Sequence, residues 1–348
     1  MKEKIAFVDY SFHKKTRSSD FFKKILLDKF EIDNLWDDHW VGGKAVRVDV
    51  LNRYQSIVFW QSISGYADLK KLKSKLIWLP MYDSENVSPY ILDSVFYDKL
   101  LATLPLRVIC FSKKLFNWFS HLGLNCILIR YYPNPKEFPG IKNFENKRIF
   151  FWDRGDITFE EVKNIIGSQE IKQLILKIDY DPNRTDRLPS KEEIKKYKIK
   201  IIQGHLPKNK YENLLAQTNI FIAPRRREGI GMSFLEAFAQ GQCVIANNDS
   251  TMNEYIESGV NGLLISDWTK EVDLSQFEKI AKKARNDCFI GYKQWEEDQK
   301  IIFEFISLPK TKNKNSVMKI KGLYWSWLVL HTLYWPLLKI YLSFKIKN

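Results

Sequence analysis

The stretch from Asn219 to Ile265 leaves this chain few folds to choose from. Ile220 to Ala223 is an apolar run stopped by Pro224, which has the length and composition of a short buried strand. Glu228-Gly229-Ile230-Gly231 follows, then a helical segment with Leu235, Phe238 and Ala239 on one apolar face and Met232, Glu236 and Gln240 four apart on another. Gly241 ends that helix, and Cys243 to Ala246 reads as a second buried strand. Ser250 is placed to cap a further helix running to Ser258-Gly259. Strand, glycine turn, helix, strand, helix is half of a doubly wound sheet.

The chemistry of the stretch sits at its turn. Gly229 and Gly231 let the backbone come close to a ligand, and the helix that opens at Met232 and Ser233 aims free N–H groups and the positive end of its dipole there. A diphosphate suits such a place. Glu228 lies at the rim of the turn and Glu236 projects from the second turn of the helix, so both carboxylates can face one cleft. Carboxylates repel phosphate, so their task is to hold hydroxyls, those of a sugar and those of a ribose. The alternative is a surface glutamate on a solvated helix face.

Taken whole, the string resembles the signature of retaining glycosyltransferases of the GT-B fold, family 4 in particular. The matching residues are Pro224, Glu228-Gly229-Ile230-Gly231, Leu235-Glu236-Ala237, Gly241, Glu254, Gly259 and Asn261-Gly262-Leu263-Leu264, with the family's seven-residue gap between the two glutamates. Arg225 and Cys243 depart from it, replacing a usual Ser and Pro. The resemblance implies an α/β chain of two Rossmann-like doubly wound domains facing across a cleft. It implies that Glu228 holds the donor sugar and Glu236 the nucleotide ribose. It further implies a backbone contact to the nucleobase from Gly204, His205 and Leu206. An Arg, matched by Arg154, and a Lys about five residues later neutralise the leaving diphosphate in relatives. Here Thr158 and Phe159 stand where the Lys belongs, and Arg225, Arg226 or Arg227 is expected to supply the missing charge, with Arg226 the named candidate. Relatives place glycines after the first strand; this chain has His13-Lys14-Lys15-Thr16-Arg17, with Arg17 a candidate for donor phosphate or else part of a solvated basic loop.

Length and composition fit two domains, expected over residues 1–138, for the acceptor, and 139–308, for the nucleotide sugar. The hinge is expected in the Pro- and Gly-rich loop from Tyr132 to Gly140. Further short strands are expected around Ile5 to Asp9, Ile57 to Trp60, Leu76 to Leu79, Arg107 to Phe111, Asn125 to Arg130, Lys147 to Trp152, Leu174 to Ile178 and Ile199 to Ile202. Helices are expected over Asp68 to Lys75, Lys208 to Ala216, Leu274 to Arg285 and Tyr292 to Ile306. Asp83, after one strand, is the acceptor-side candidate, with a turn-forming role as its alternative. The four cysteines have no metal or redox spacing and read as buried free thiols. The beginning, Met1 to Val8, leads into a strand, and no signal peptide is expected there. Neither a cofactor nor a metal is expected, since Asp179-Tyr180-Asp181 reads as a turn.

The net charge is +14, and the residues from Pro309 onward hold eight lysines and no acid. No nucleic-acid motif accompanies that charge. Between Lys321 and Lys339 lie 17 uncharged residues rich in Trp, Tyr and Leu. As a helix they reach about 25 Å, short of a roughly 30 Å hydrocarbon core. Residues 309–348 are therefore expected to lie at an anionic membrane surface, with Trp325, Trp327 and Trp335 at headgroup level beside Lys319, Lys321 and Lys339. A helix folded back on the first domain is the alternative. The expected function is transfer of a sugar from a nucleoside-diphosphate sugar to a lipid-linked or other saccharide acceptor in O-antigen or capsule assembly, at the inner leaflet of a bacterial plasma membrane. Two readings stay open beside it: a binding or scaffold subunit on a decayed fold of this kind, and a sugar-phosphate synthase or nucleotide-sugar epimerase.

Overall fold

The computed structural model describes residues 2–83, 92–179, 188–204 and 206–311. Its strands form two six-stranded sheets in which every pairing is parallel. The first contains β1 (Glu3–Asp9), β2 (Phe30–Trp36), β3 (Ser56–Trp60), β4 (Lys75–Leu79), β5 (Leu106–Cys110) and β6 (Asn125–Leu128), ordered β2-β1-β3-β4-β5-β6. The second contains β7 (Arg148–Asp153), β8 (Gln173–Ile178), β9 (Ile199–Gln203), β10 (Ile220–Ile222), β11 (Cys243–Asn247) and β12 (Leu263–Ile265), ordered β12-β11-β10-β7-β8-β9. Each order reverses direction once, between β1 and β3 and between β7 and β10. In open sheets of this kind ligands bind outside the carboxyl ends of the strands at those reversals. Two Rossmann-like doubly wound units, the fold class expected of a GT-B chain, are what the sequence forms.

The strand sequences explain the buried faces. In the second unit, Ile149, Phe151, Leu174, Leu176, Ile178, Ile220, Ile222 and Ile245 pack in one cluster with Val162, Ile165 and Ile166 of α7 (Phe159–Ile166). Side chains alternate along a strand, so Phe150, Trp152, Lys177 and Phe221 lie on the opposite face. There Tyr211 of α9 (Lys208–Leu215) packs its ring against Phe150 and Trp152. In the first unit Phe7, Phe22, Trp60 and Phe111 form an aromatic cluster with centroids 5.6–6.2 Å apart.

The chain divides earlier than composition implies. One unit comprises the residues up to Ile129 together with the chain from Gln299 on, and the other runs from Arg130 to Asp298. The loop expected as a hinge belongs wholly to the second unit because α11 (Phe277–Ser307) grips it. Arg285 donates to the carbonyls of Pro135 (3.3 Å) and Phe138 (3.1 Å), and Gly291 leaves room for the Tyr132 ring, which a Cβ there would meet at 2.4 Å. α11 is one helix where two were expected. Its last turn returns to the first unit, where the buried Arg107 of β5 donates to the carbonyls of Phe305 (3.0 Å) and Pro309, meeting the orphan acceptors of a helix end.

Four other local expectations differ. Lys75 opens β4 rather than closing a helix, because α4 is a single turn, Tyr66–Leu69. Ser250 leads only to a 3-10 turn at Met252–Glu254. β2 and β12 were not anticipated: both are edge strands, and the acids of Phe-Glu-Ile-Asp-Asn-Leu-Trp hide the alternation of β2. Residues 312–348, and with them Lys319, Lys321, Trp325, Trp327, Trp335 and Lys339, lie outside the described residues. Among the described residues no helix is long and apolar enough to cross a membrane.

Candidate active site

The signature turn begins where β10 ends. Ile222 gives way to Ala223-Pro224 and three arginines, and Glu228 follows with only 9 % of its surface exposed. Thr251 fixes the turn from behind: its Oγ1 donates to the carbonyls of Glu228 (2.8 Å) and Gly229 (3.1 Å). Gly231 takes φ 79°, the left-handed region, and a Cβ on it would stand 1.9 Å from the Phe234 ring. Glycine is required there for both reasons. α10 (Met232–Gln240) opens directly behind it, buries Phe234, Leu235, Ala237 and Phe238, and leaves Met232, Ser233 and Glu236 half-buried. Those three residues share one side of the helix, so the N-terminal N–H groups and the Glu236 carboxylate point to the same region. Gln240, read from spacing as a member of that side, is instead 2 % exposed and belongs to the core.

β7 contributes the cation. Arg154, one residue past the strand, is exposed, and its guanidinium lies 4.9 Å from the centre of the Trp152 ring. Lys177, the residue in register with Trp152 on β8, brings its ammonium within 4.2 Å of the same ring and pairs with Asp179. Burial pushes the Lys177 amine below its ordinary value, the Asp179 charge works against that, and Arg154 adds to it. Two cations therefore share one indole, and Lys177 was not singled out by its place in the sequence. A lysine inside an apolar strand between Leu176 and Ile178 is the signal that marks it.

Tyr211 reports how the parts converge. Its hydroxyl is pushed well above its ordinary value, chiefly by burial and then by the charge of Glu236, with Arg154 opposing and Glu228 adding. Glu228 and Glu236 of the signature stretch and Arg154 after β7, from two separate segments, thus act on one buried phenol packed on β7. Burial and Glu236 likewise raise Tyr131, in that order.

Other expected residues have different surroundings. Arg226 donates through its backbone N–H to Asp156 (2.8 Å), and its guanidinium pairs with Glu161 of α7. Its charge is thus met by acids of its own unit, and it straps the turn to α7 instead of standing as a spare cation. Arg227 is exposed, 3.6 Å from Asp249. Where the resemblance places the lysine, Thr158 forms a capping box with Glu161 and Phe159 is buried in the core. Gly204, with φ 79°, follows β9 and donates to the Ile178 carbonyl (3.1 Å). Leu206 is half-buried, and His205 lies outside the described residues. In the first unit Arg17 is exposed and paired with Asp20 (2.5 Å), while Asp83 is half-buried just after β4.

Residues 165–286 match the family Glycosyl transferases group 1. This part of the chain is similar to that family, and it contains the signature turn and α10. A sucrose synthase of Melioribacter roseus is 26 % identical over 260 residues, which are 62 % of this chain and 32 % of that protein. The chain thus spans about a third of the length of that curated relative. Among solved structures, a sucrose-phosphate synthase from Thermosynechococcus elongatus superposes with a TM-score of 0.64 at 13 % identity, covering 87 % of this chain and 98 % of the other. The Anabaena protein HepE, solved in complex with UDP and glucose, gives 0.57 at 14 % identity, covering 88 % and 100 %. A glycosyltransferase from Rickettsia africae gives 0.57 at 15 %, covering 88 % and 100 %. These likenesses establish the two-domain GT-B glycosyltransferase fold.

Proposed function

We propose that the protein is a retaining glycosyltransferase that moves a sugar from a nucleoside-diphosphate sugar onto a lipid-linked saccharide in surface-polysaccharide assembly, O-antigen or capsule. The observation that carries this reading is the signature turn at the topological reversal of the second sheet, where buried Glu228, left-handed Gly231 and the N-terminus of α10 follow β10 and Arg154 follows the adjoining β7. Glu236 receives the ribose hydroxyls and Glu228 the hydroxyls of the sugar. The diphosphate lies between Arg154 and the N-terminus of α10.

The barrier lies in breaking the bond from the anomeric carbon to the phosphate oxygen while positive charge grows on the sugar. Arg154 and the helix N–H groups stabilise the negative charge that collects on the leaving diphosphate. The acceptor hydroxyl forms the new bond on the same face, and its proton passes to the departing phosphate oxygen, so no side-chain base and no metal are required. The lysine- and tryptophan-rich residues 309–348 hold the enzyme at the inner leaflet of the plasma membrane, near a lipid-linked acceptor.

Release of nucleoside diphosphate from a panel of nucleotide sugars, measured on the full chain, tests the reaction. Turnover of one donor and its loss in Glu228→Gln is the expected result. Absence of turnover with every donor and acceptor sinks the assignment. Loss of binding to anionic vesicles on truncation after Leu308 is expected for the anchor, and undiminished binding removes it. The similarity to a sucrose synthase supports a second reading, transfer to a free sugar or sugar phosphate. Product formed with those acceptors and none with lipid-linked saccharides would favour it.

A further inference from the structure

The face of the second sheet that carries Arg154 holds two polar atoms with nothing to do. The indole Nε1 of Trp152 and the hydroxyl of Tyr211 are both shielded from solvent, and no described residue accepts a hydrogen bond from either. Their rings are 5.8 Å apart between centres. An unpaired buried hydroxyl is costly, and phenylalanine would fill the same space without that cost. A tyrosine and a tryptophan kept side by side in this condition, at the carboxyl end of β7, call for an explanation outside the free protein.

The surroundings say what kind of group would satisfy them. Indole N–H can only donate, so its partner is an acceptor oxygen. Arg154 and Lys177 lie over the same indole, at 4.9 and 4.2 Å, and Asp179 is the acid paired with Lys177. Two cations and two neutral donors around one ring form a corner suited to an anion. The charges of Glu236 and Glu228 act on Tyr211 and that of Arg154 opposes them, so the hydroxyl lies within electrostatic reach of the groups assigned to the ribose and the sugar and of the cation assigned to the diphosphate. Arg154 is the exposed member of the cluster.

We propose that Trp152 Nε1 and Tyr211 Oη form a donor pair that grips a phosphate oxygen of the nucleotide, between the cations Arg154 and Lys177. This inference rests on the donor-site reading above and adds to it two neutral ligands and a second cation, Lys177, drawn from the neighbouring strand. It also assigns a cost to the free protein: the pair is unsatisfied until the nucleotide arrives.

Tyr211→Phe is the sharpest test, because it deletes one oxygen and keeps the ring packed on Phe150 and Trp152. Calorimetric titration of the full chain with UDP, GDP, ADP, CDP and TDP identifies the diphosphate that the wild-type protein binds. The variant is expected to bind that diphosphate about tenfold more weakly and to bind the corresponding bare nucleoside as before. Its ligand-free melting temperature is expected to rise by about 2 °C, since a buried unsatisfied hydroxyl is gone. Trp152→Phe, which keeps a ring beneath both cations and removes the N–H, is expected to show the same preference for the diphosphate. Unchanged diphosphate affinity in Tyr211→Phe overturns the proposal, and so does an equal loss for the bare nucleoside. A wild-type chain that binds none of the diphosphates overturns the donor-site reading itself.

Discussion

At the carboxyl end of β1 the buried Asp9 collects four donors from its own unit. These are the Tyr10 backbone N–H (2.8 Å), His13 Nδ1 (2.6 Å), Ser19 Oγ (2.6 Å) and Lys23 Nζ (2.9 Å). At the corresponding end of β7, Trp152 and Tyr211 carry donors that no described residue accepts, beside two cations. Both places are topological reversals of parallel six-stranded sheets. In the first the four donors are spent on the Asp9 carboxylate, within the fold. In the second the donors are held out for something else. A doubly wound sheet supplies the location of a site, and only the satisfaction of its polar groups tells an occupied corner from one awaiting a ligand.

Four changes test that contrast, the largest first. Asp9→Ala removes the acceptor of three side chains, those of His13, Ser19 and Lys23, and leaves Lys23, its side chain 13 % exposed, without that partner. A loss of about 3–5 kcal/mol of stability is expected from breaking such a buried pair, read as a lowered denaturant midpoint. Nucleotide affinity of the folded protein should be unchanged; a fall in affinity with no change in midpoint would erase the distinction between the two crevices.

Glu228→Gln should do the reverse. A loss of about 10²–10³-fold in turnover is expected if its carboxylate acts on the sugar as charge develops, with the melting temperature kept. Parallel loss of melting temperature would make Glu228 a structural acid like Asp9.

The third change concerns pH. Burial would push the Asp9 carboxyl up, but hydrogen bonds from His13 and Ser19 and the charge of Lys23 outweigh it, so its pKa is lowered. Its stabilisation is present above the ordinary carboxyl range and is lost as pH falls through the depressed value. Asp98 of α5 (Leu92–Leu101) behaves oppositely: burial lifts it to about 7, against a hydrogen bond from Trp118. The folded protein then holds a proton that the unfolded chain releases, so stability falls as pH rises from about 4 to about 7. Asp98→Asn should flatten that decline, gaining up to roughly 3–4 kcal/mol at pH 8 and nothing at pH 4. An unchanged pH profile would remove Asp98 from the account.

The smallest effect is expected from Arg226→Gln. Its partners Asp156 and Glu161 are partly exposed, so the strap is worth about 1 kcal/mol or less. Diphosphate affinity is expected to stay within about twofold, whereas Arg154→Gln should lower it about tenfold or more. A large fall in Arg226→Gln would return that residue to the diphosphate.

The sequence by itself determined the strands that are buried on both faces. Apolar runs such as Ile220 to Ile222 and Ile57 to Trp60 have no other stable place in a chain of this size. It also determined the signature turn, because Gly231 must adopt a left-handed conformation against Phe234 and no other residue fits. Edge strand β2 was hidden because one side of it faces solvent and carries acids. The roles of Arg226, Lys177 and Tyr211 were decided only in three dimensions. Three adjacent arginines look alike in sequence, and the nearness of Asp156 and Glu161 separates one of them. Lys177 shares the Trp152 ring with Arg154 because β7 and β8 pair in register, and Tyr211 comes under the charges of Glu228 and Glu236 because α9 packs it on β7, the strand beside β10. Local pattern fixes which residues are buried. Which buried polar groups find partners depends on segments far apart in the chain, and that is set by packing alone.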